Sequence, residues 1–148
     1  MRQMREIPEQ ITPNDDDGYF EELTKAIFRA GFSWPVIRQK WENFRLGFDR
    51  FNVARVAGYG VEEITRLLND ASIVRNRRKI VYTVDNAQTI LELAQGYGSF
   101  EEYLRSLDHL VYHDRVKELT GHFRGLGRTS AFVFLHCVNE PTPTWQER

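Results

Sequence analysis

The stretch Gly125-Leu126-Gly127-Arg128-Thr129-Ser130-Ala131 decides how this chain is read. Two glycines flank one apolar residue, and small or hydroxyl residues then open an apolar helix. Glycine accepts backbone angles that a side chain forbids, so Gly125 and Gly127 allow a very tight turn. Leu126 is then set to plug that turn into the core. The first amides of the following helix point outward without partners, and such a helix start binds anions, phosphates included. Arg128 adds a positive charge there. The pattern is that of a helix-hairpin-helix, which holds the phosphate backbone of DNA without reading its sequence. Gly125, Leu126, Gly127, Arg128, Thr129 and Ser130 are therefore the expected DNA-contacting residues. The plain alternative is an ordinary tight turn between two helices.

Outward from the hairpin, composition sets bounds. A chain of 148 residues is most simply one domain with one substantial core. It is 41% hydrophobic and 13% aromatic, so it can bury that core and is not disordered. The formal charge of −1 and a pI near 6.4 exclude a broadly basic nucleic-acid binder. Any DNA contact must come from a local patch, with modest, salt-sensitive affinity. The single Cys137 excludes an intramolecular disulfide and a cysteine-rich zinc cluster. No apolar run approaches the ~20 residues of a membrane span, and the polar N-terminus lacks a signal-peptide core. A cytoplasmic protein without membrane contact is expected.

The apolar spacing is helical throughout. Residues 1–16 read as a flexible N-terminal arm, with Pro8, Pro13 and the acidic run Asp15, Asp16, Asp17 suited to a helix start. Phe20, Leu23, Ile27 and Ala30 share the face of a first helix, which Gly31 stops. Ser33 and Pro35 open a second, with Ile37, Trp41, Phe44 and Phe48 on one face. Short helices follow around Val53–Val56 and Val61–Leu68. A long one carries Ile80, Val84, Ala87, Leu91 and Ala94 and ends at Gly96 and Gly98. Ser99 with Glu102 forms a capping box. Asp114 is placed to cap the helix leading into the hairpin, and Ala131, Phe132, Phe134 and Leu135 lie on the last helix. The expectation is all-α, a compact orthogonal helical domain over residues 17–140, with 141–148 as a C-terminal tail.

Several blocks, taken in order, resemble the DNA-3-methyladenine glycosylase I family. They are Ala30-Gly31-Phe32-Ser33-Trp34, then Ile73-Val74-Arg75-Asn76-Arg77-Arg78-Lys79-Ile80 with Asn86-Ala87, then Gly98-Ser99-Phe100 with Tyr103, the glycine hairpin, and Val138-Asn139. The resemblance implies an all-α helix-hairpin-helix enzyme of base-excision repair. Such an enzyme hydrolyses the N-glycosidic bond of alkylated purines, acts on double-stranded DNA carrying alkylated bases, and uses no lysine nucleophile. A monomer without cofactor is expected. The alternative is a catalytically degenerate helix-hairpin-helix DNA-binding protein without glycosylase activity.

The departures shape the expected site. The family's opening block, with a pocket tyrosine and a zinc-binding histidine, has no counterpart in residues 1–18, and the terminal His/Cys pair is missing. No metal is expected. The family's pocket glutamate lies eight residues before the block's tryptophan, which here is Ala26. No catalytic residue is therefore assigned outright. Glu22, one helical turn before Ala26, is the candidate replacement carboxylate. Trp34 is the expected stacking surface for an extruded base, with Phe28 beside it. A cationic base is already a good leaving group and needs the least acid assistance. The cluster Arg75, Arg77, Arg78 and Lys79 reads as a helix start with structural ion pairs. His109 and His113 have a metal-binding spacing but no third ligand.

Overall fold

The computed structural model describes residues 7–147. Eight α-helices and no strand occur among them: α1 (Asp16–Arg29), α2 (Trp34–Gly47), α3 (Val53–Ala57), α4 (Val61–Leu68), α5 (Arg77–Tyr97), α6 (Phe100–Arg105), α7 (Tyr112–His122) and α8 (Arg128–Cys137). The all-α expectation holds. The long α5 packs against α1, α3, α4 and α6, while α1 also lies on α2 and α8. The buried face of α5 runs through Ile80, Val84, Ala87 and Ile90; Ile90 takes the buried position rather than Leu91. Gly96 sits inside the helix, and Gly98, at φ +104°, ends it.

The acidic run does more than start one helix. Asp15 caps α1 by accepting from the Gly18 amide at 2.9 Å. Asp16 accepts from the Phe100 amide at 2.8 Å, and Asp17 from the Val53 amide at 2.9 Å. Three consecutive carboxylates thus satisfy orphan amides at the starts of α1, α6 and α3. Asp114, expected as a cap, instead lies in the first turn of α7, whose N-cap is Val111.

An aromatic column fills the core between α1 and α2. Trp41 stacks on Phe44 and Phe51 with ring centres 4.9 and 5.2 Å apart. Phe51 is brought there by a left-handed turn, with Asp49, Arg50 and Phe51 at φ +52°, +56° and +58°. Such angles cost roughly 1–2 kcal/mol per non-glycine residue. Full burial of Phe51 and a hydrogen bond from the Tyr59 hydroxyl to Asp49 hold the turn.

The ends of the chain depart from the expected arm and tail. Within residues 7–16, the Ile11 amide donates to the Cys137 carbonyl at 2.7 Å. The Gln10 side chain donates to the His136 carbonyl at 2.9 Å, and Pro8 is buried. This segment is tied to the end of α8 by hydrogen bonds; residues 1–6 of the expected arm lie outside the described residues. Beyond α8, Asn139 adopts φ +66°, the Glu140 amide donates to Leu135 at 2.9 Å and the Asn139 amide to His136 at 3.2 Å. That is a Schellman stop with asparagine in glycine's usual place. Trp145 then folds back, buried, with ring centres 5.5 Å from Phe132 and 4.9 Å from His136.

Candidate functional site

The hairpin between α7 and α8 is fixed from below. Leu126 is buried, and Asn86 of α5 clamps the backbone of Arg124 from both sides: its amide donates to the carbonyl at 3.0 Å and its oxygen accepts from the amide at 2.8 Å. Gly125 sits at φ +77°, and a Cβ there would meet Tyr82 at 2.7 Å and Ile27 at 3.3 Å. Glycine is required by both angle and space. Gly127 differs from expectation, because its backbone is extended (φ −92°) and a Cβ would meet nothing within 4 Å. Its role is to be the N-cap of α8, leaving the first amides uncovered. Arg128 and Thr129 are exposed, but Ser130 is buried and faces the core, so it is withdrawn from the expected contacts. Arg128 and Thr129 also border a groove of about 890 Å³ that Lys117 and Tyr112 line from α7.

A second feature lies between α1, the start of α2 and the end of α8. It is a cleft of about 280 Å³. Glu22, Lys25, Ala26 and Arg29 of α1 line it, at the three- and four-residue spacing of one helical face. Trp34 and Arg38 of α2 face them, Val133 and Cys137 of α8 form the far side, and Ile7–Glu9 lie across it. The structure therefore brings Trp34, Ala26 and Glu22 to one cavity. Phe28 is not part of it: the ring is fully buried, edge-on to Phe44 with centres 4.8 Å apart. Phe28 lies one residue from Arg29 but is rotated about 100° around α1 from it, away from the cleft-lining face.

The position of Trp34 is set by Lys79. Its ammonium donates to the Ile27 carbonyl at 2.8 Å and also to the Ala30 carbonyl, tying off the end of α1 three residues before Ser33, the cap of α2. Burial pushes its pKa down. Asn76 caps α5 beneath it, accepting from the Lys79 amide at 3.0 Å. Thus Asn76 and Lys79 are anchors, while Arg75, Arg77 and Arg78 are exposed.

The electrostatics of the cleft were not visible in the sequence. Burial raises the Glu22 carboxyl above its ordinary pKa, and Lys25, 3.2 Å away, pulls it back. Arg29 places its guanidinium carbon 5.1 Å from the Trp34 ring centre and 5.6 Å from that of Trp145. Two tryptophans 111 positions apart thus hold one cation at the cleft. The only available signal was the helical spacing Glu22, Ala26, Arg29.

The residues present do not fit the zinc site that the resemblance implies. Among the described residues, no three His, Cys, Asp or Glu side chains are grouped to hold a metal. Burial pushes the Cys137 thiol up to about 11, which disfavours a thiolate ligand. The neighbouring His136 ring packs on Phe132 and Trp145. His109 lies in a turn before α7 and His113 within it, so they do not share a helix. Among the described residues, no helix is long and apolar enough to cross a membrane.

Fold and site together define an all-α domain that joins the α7–α8 helical hairpin to an aromatic-sided cleft. A model of the methyladenine glycosylase family matches residues 10–126. The chain is 32% identical over 96 residues to DNA-3-methyladenine glycosylase 1 of Escherichia coli, covering 65% of this chain and 51% of that protein. It is 25% identical over 92 residues to DNA-3-methyladenine glycosylase of Haemophilus influenzae, covering 62% and 50%. Among solved structures, 3-methyladenine DNA glycosylase I from Staphylococcus aureus superposes with a TM-score of 0.76 at 28% identity, covering 86% of this chain and 78% of that one. A variant of 3-methyladenine DNA glycosylase I in complex with 3-methyladenine gives a TM-score of 0.78 at 28% identity, covering 90% and 81%. The chain belongs to the methyladenine glycosylase family. It spans about half the length of the curated relatives it matches, and the family match ends at Leu126, before α8.

Proposed function

We propose that this chain is a DNA glycosylase of base-excision repair that hydrolyses the N-glycosidic bond of alkylated purines in double-stranded DNA. The observation that carries this reading is the convergence of Trp34, Ala26 and Glu22 on one cleft, in a chain whose α7–α8 hairpin offers uncovered amides. The hairpin residues Gly125, Leu126, Gly127, Arg128 and Thr129 shape and line a phosphate contact, which positions the duplex without reading sequence. The extruded base stacks on Trp34. Glu22 supplies the carboxylate that Ala26 lacks, stabilising the positive charge that develops on the sugar while water attacks. The enzyme acts as a monomer in the cytoplasm, and the catalytic domain spans residues 17–140 with the flanking segments closing the cleft.

The missing acid at Ala26 favours one rival, a DNA-binding descendant without catalysis. A base-release assay on methylated duplex, run beside a binding assay, separates them. Release of 3-methyladenine supports the enzyme, and binding without release replaces it with the rival.

A further inference from the structure

The arginines at the start of α5 depart from the ion pairs that the sequence predicts for them. Arg75, Arg77 and Arg78 are exposed, and among the described residues none of them pairs with a carboxylate. By contrast, Arg50, Arg55 and Arg124 face Glu42, Asp49 and Asp85. Arg78 also lies on the stripe of α5 that meets the hairpin. Helical spacing puts Tyr82, Asp85 and Asn86 on that stripe with it. Tyr82 abuts Gly125, where an added Cβ would meet its ring at 2.7 Å. Asp85 pairs with Arg124 at 3.7 Å, and Asn86 holds the Arg124 backbone. Lys79, next to Arg78, reaches the Ile27 and Ala30 carbonyls at the end of α1 that leads to Trp34. The first turn of α5 therefore stands between the hairpin and the segment that carries the cleft.

A strand that passes from the hairpin to the cleft carries its phosphates over this turn. In a chain of net charge −1, its affinity has to come from local charges. The hairpin's Arg124 is offset by Asp85, and the Asn76 side chain already occupies the Lys79 amide. The group left to meet an anion on this stripe is the Arg78 guanidinium, a planar fork that matches phosphate oxygens. We propose that Arg78 is a second phosphate contact, holding the DNA backbone between the α7–α8 hairpin and the Trp34 cleft. It binds the backbone without reading base sequence, as a phosphate contact does. This inference rests on the reading of the chain as a duplex-binding protein.

The test uses the full chain and a fluorescein-labelled undamaged duplex, with affinity read by anisotropy across a salt series. The logarithm of affinity falls linearly with the logarithm of salt concentration, with a slope of about 0.9 per phosphate contact. Arg78→Gln reduces that slope by about 0.9 and weakens binding about 3- to 10-fold at low salt. Arg78→Lys keeps the charge and the slope. Arg78→Glu suits the first turn of a helix, so it folds, and it weakens binding further than Arg78→Gln. Arg55→Gln removes an exposed charge that already faces Asp49 at 3.8 Å, and it leaves slope and affinity unchanged. An unchanged slope in Arg78→Gln and Arg78→Glu, beside salt-dependent binding by the wild type, overturns this inference and leaves the hairpin reading standing. Equal losses from Arg78→Gln and Arg55→Gln also overturn it, because they report net charge alone. A wild type that binds no duplex overturns both the inference and the reading it rests on.

Discussion

Replacing Gly125 by alanine tests the hairpin where geometry is most demanding. Gly125 lies at φ +77°, and the added methyl would stand 2.7 Å from Tyr82 and 3.3 Å from Ile27. The left-handed angle costs a non-glycine residue about 1–2 kcal/mol. Overpacking against two core-facing side chains adds about 1–3 kcal/mol, so the substitution costs roughly 2–5 kcal/mol in all. Gly127→Ala is the matched control. Its backbone is already extended and the methyl meets nothing within 4 Å. The weaker N-cap and the stiffer unfolded chain oppose each other, leaving a change within about 1 kcal/mol. Urea unfolding of the two variants reads the difference as a midpoint shift of about 1 M or more for Gly125→Ala, at the slopes typical of small domains. Equal losses, or a larger loss from Gly127→Ala, would refute the assignment of the two glycines.

Four further outcomes follow from the same geometry. Gly127→Asp places a good capping side chain at an open N-cap, so stability holds or rises while duplex affinity falls by about tenfold or more through repulsion of phosphate; unchanged affinity in filter binding would count against the hairpin contact. Ala26→Glu restores a carboxylate to the cleft and raises 3-methyladenine release by up to about 10²-fold, less the penalty of burying a charge; single-turnover kinetics showing no gain would sink the assignment of this position. Glu22 ionises late because burial raises its pKa, so base release climbs with pH through that raised value and Glu22→Gln removes the limb. The folded chain also holds the Glu22 proton more tightly than the unfolded one. Its contribution to stability is therefore full below the unfolded pKa and is lost as pH rises through the folded pKa, a trend that pH-dependent melting of wild type and Glu22→Gln reads out.

The helices were legible because their apolar residues recur at helical spacing, as in α1 and α2. The hairpin was legible because Gly125 and buried Leu126 leave few other conformations. What stayed hidden was long-range. The left-handed turn at Asp49, Arg50 and Phe51 contains no glycine and exists because the buried aromatic column draws Phe51 inward. Asp16 and Asp17 cap helices that begin 84 and 36 residues later. At the cleft, the family spacing located Trp34 and Ala26, and helical periodicity located Glu22. It could not show Arg29 held by Trp145, because that contact depends on how the chain folds back after Asn139.

Base excision at Trp34 is the activity we propose for this cleft. Quantifying free 3-methyladenine released from methylated duplex, with protein in excess, tests it most directly when wild type and Trp34→Ala are run side by side. The wild type is expected to release the base and Trp34→Ala none, with duplex binding largely retained because stacking and phosphate contact are separate interactions. Duplex binding by a folded wild type that releases no base would contradict it.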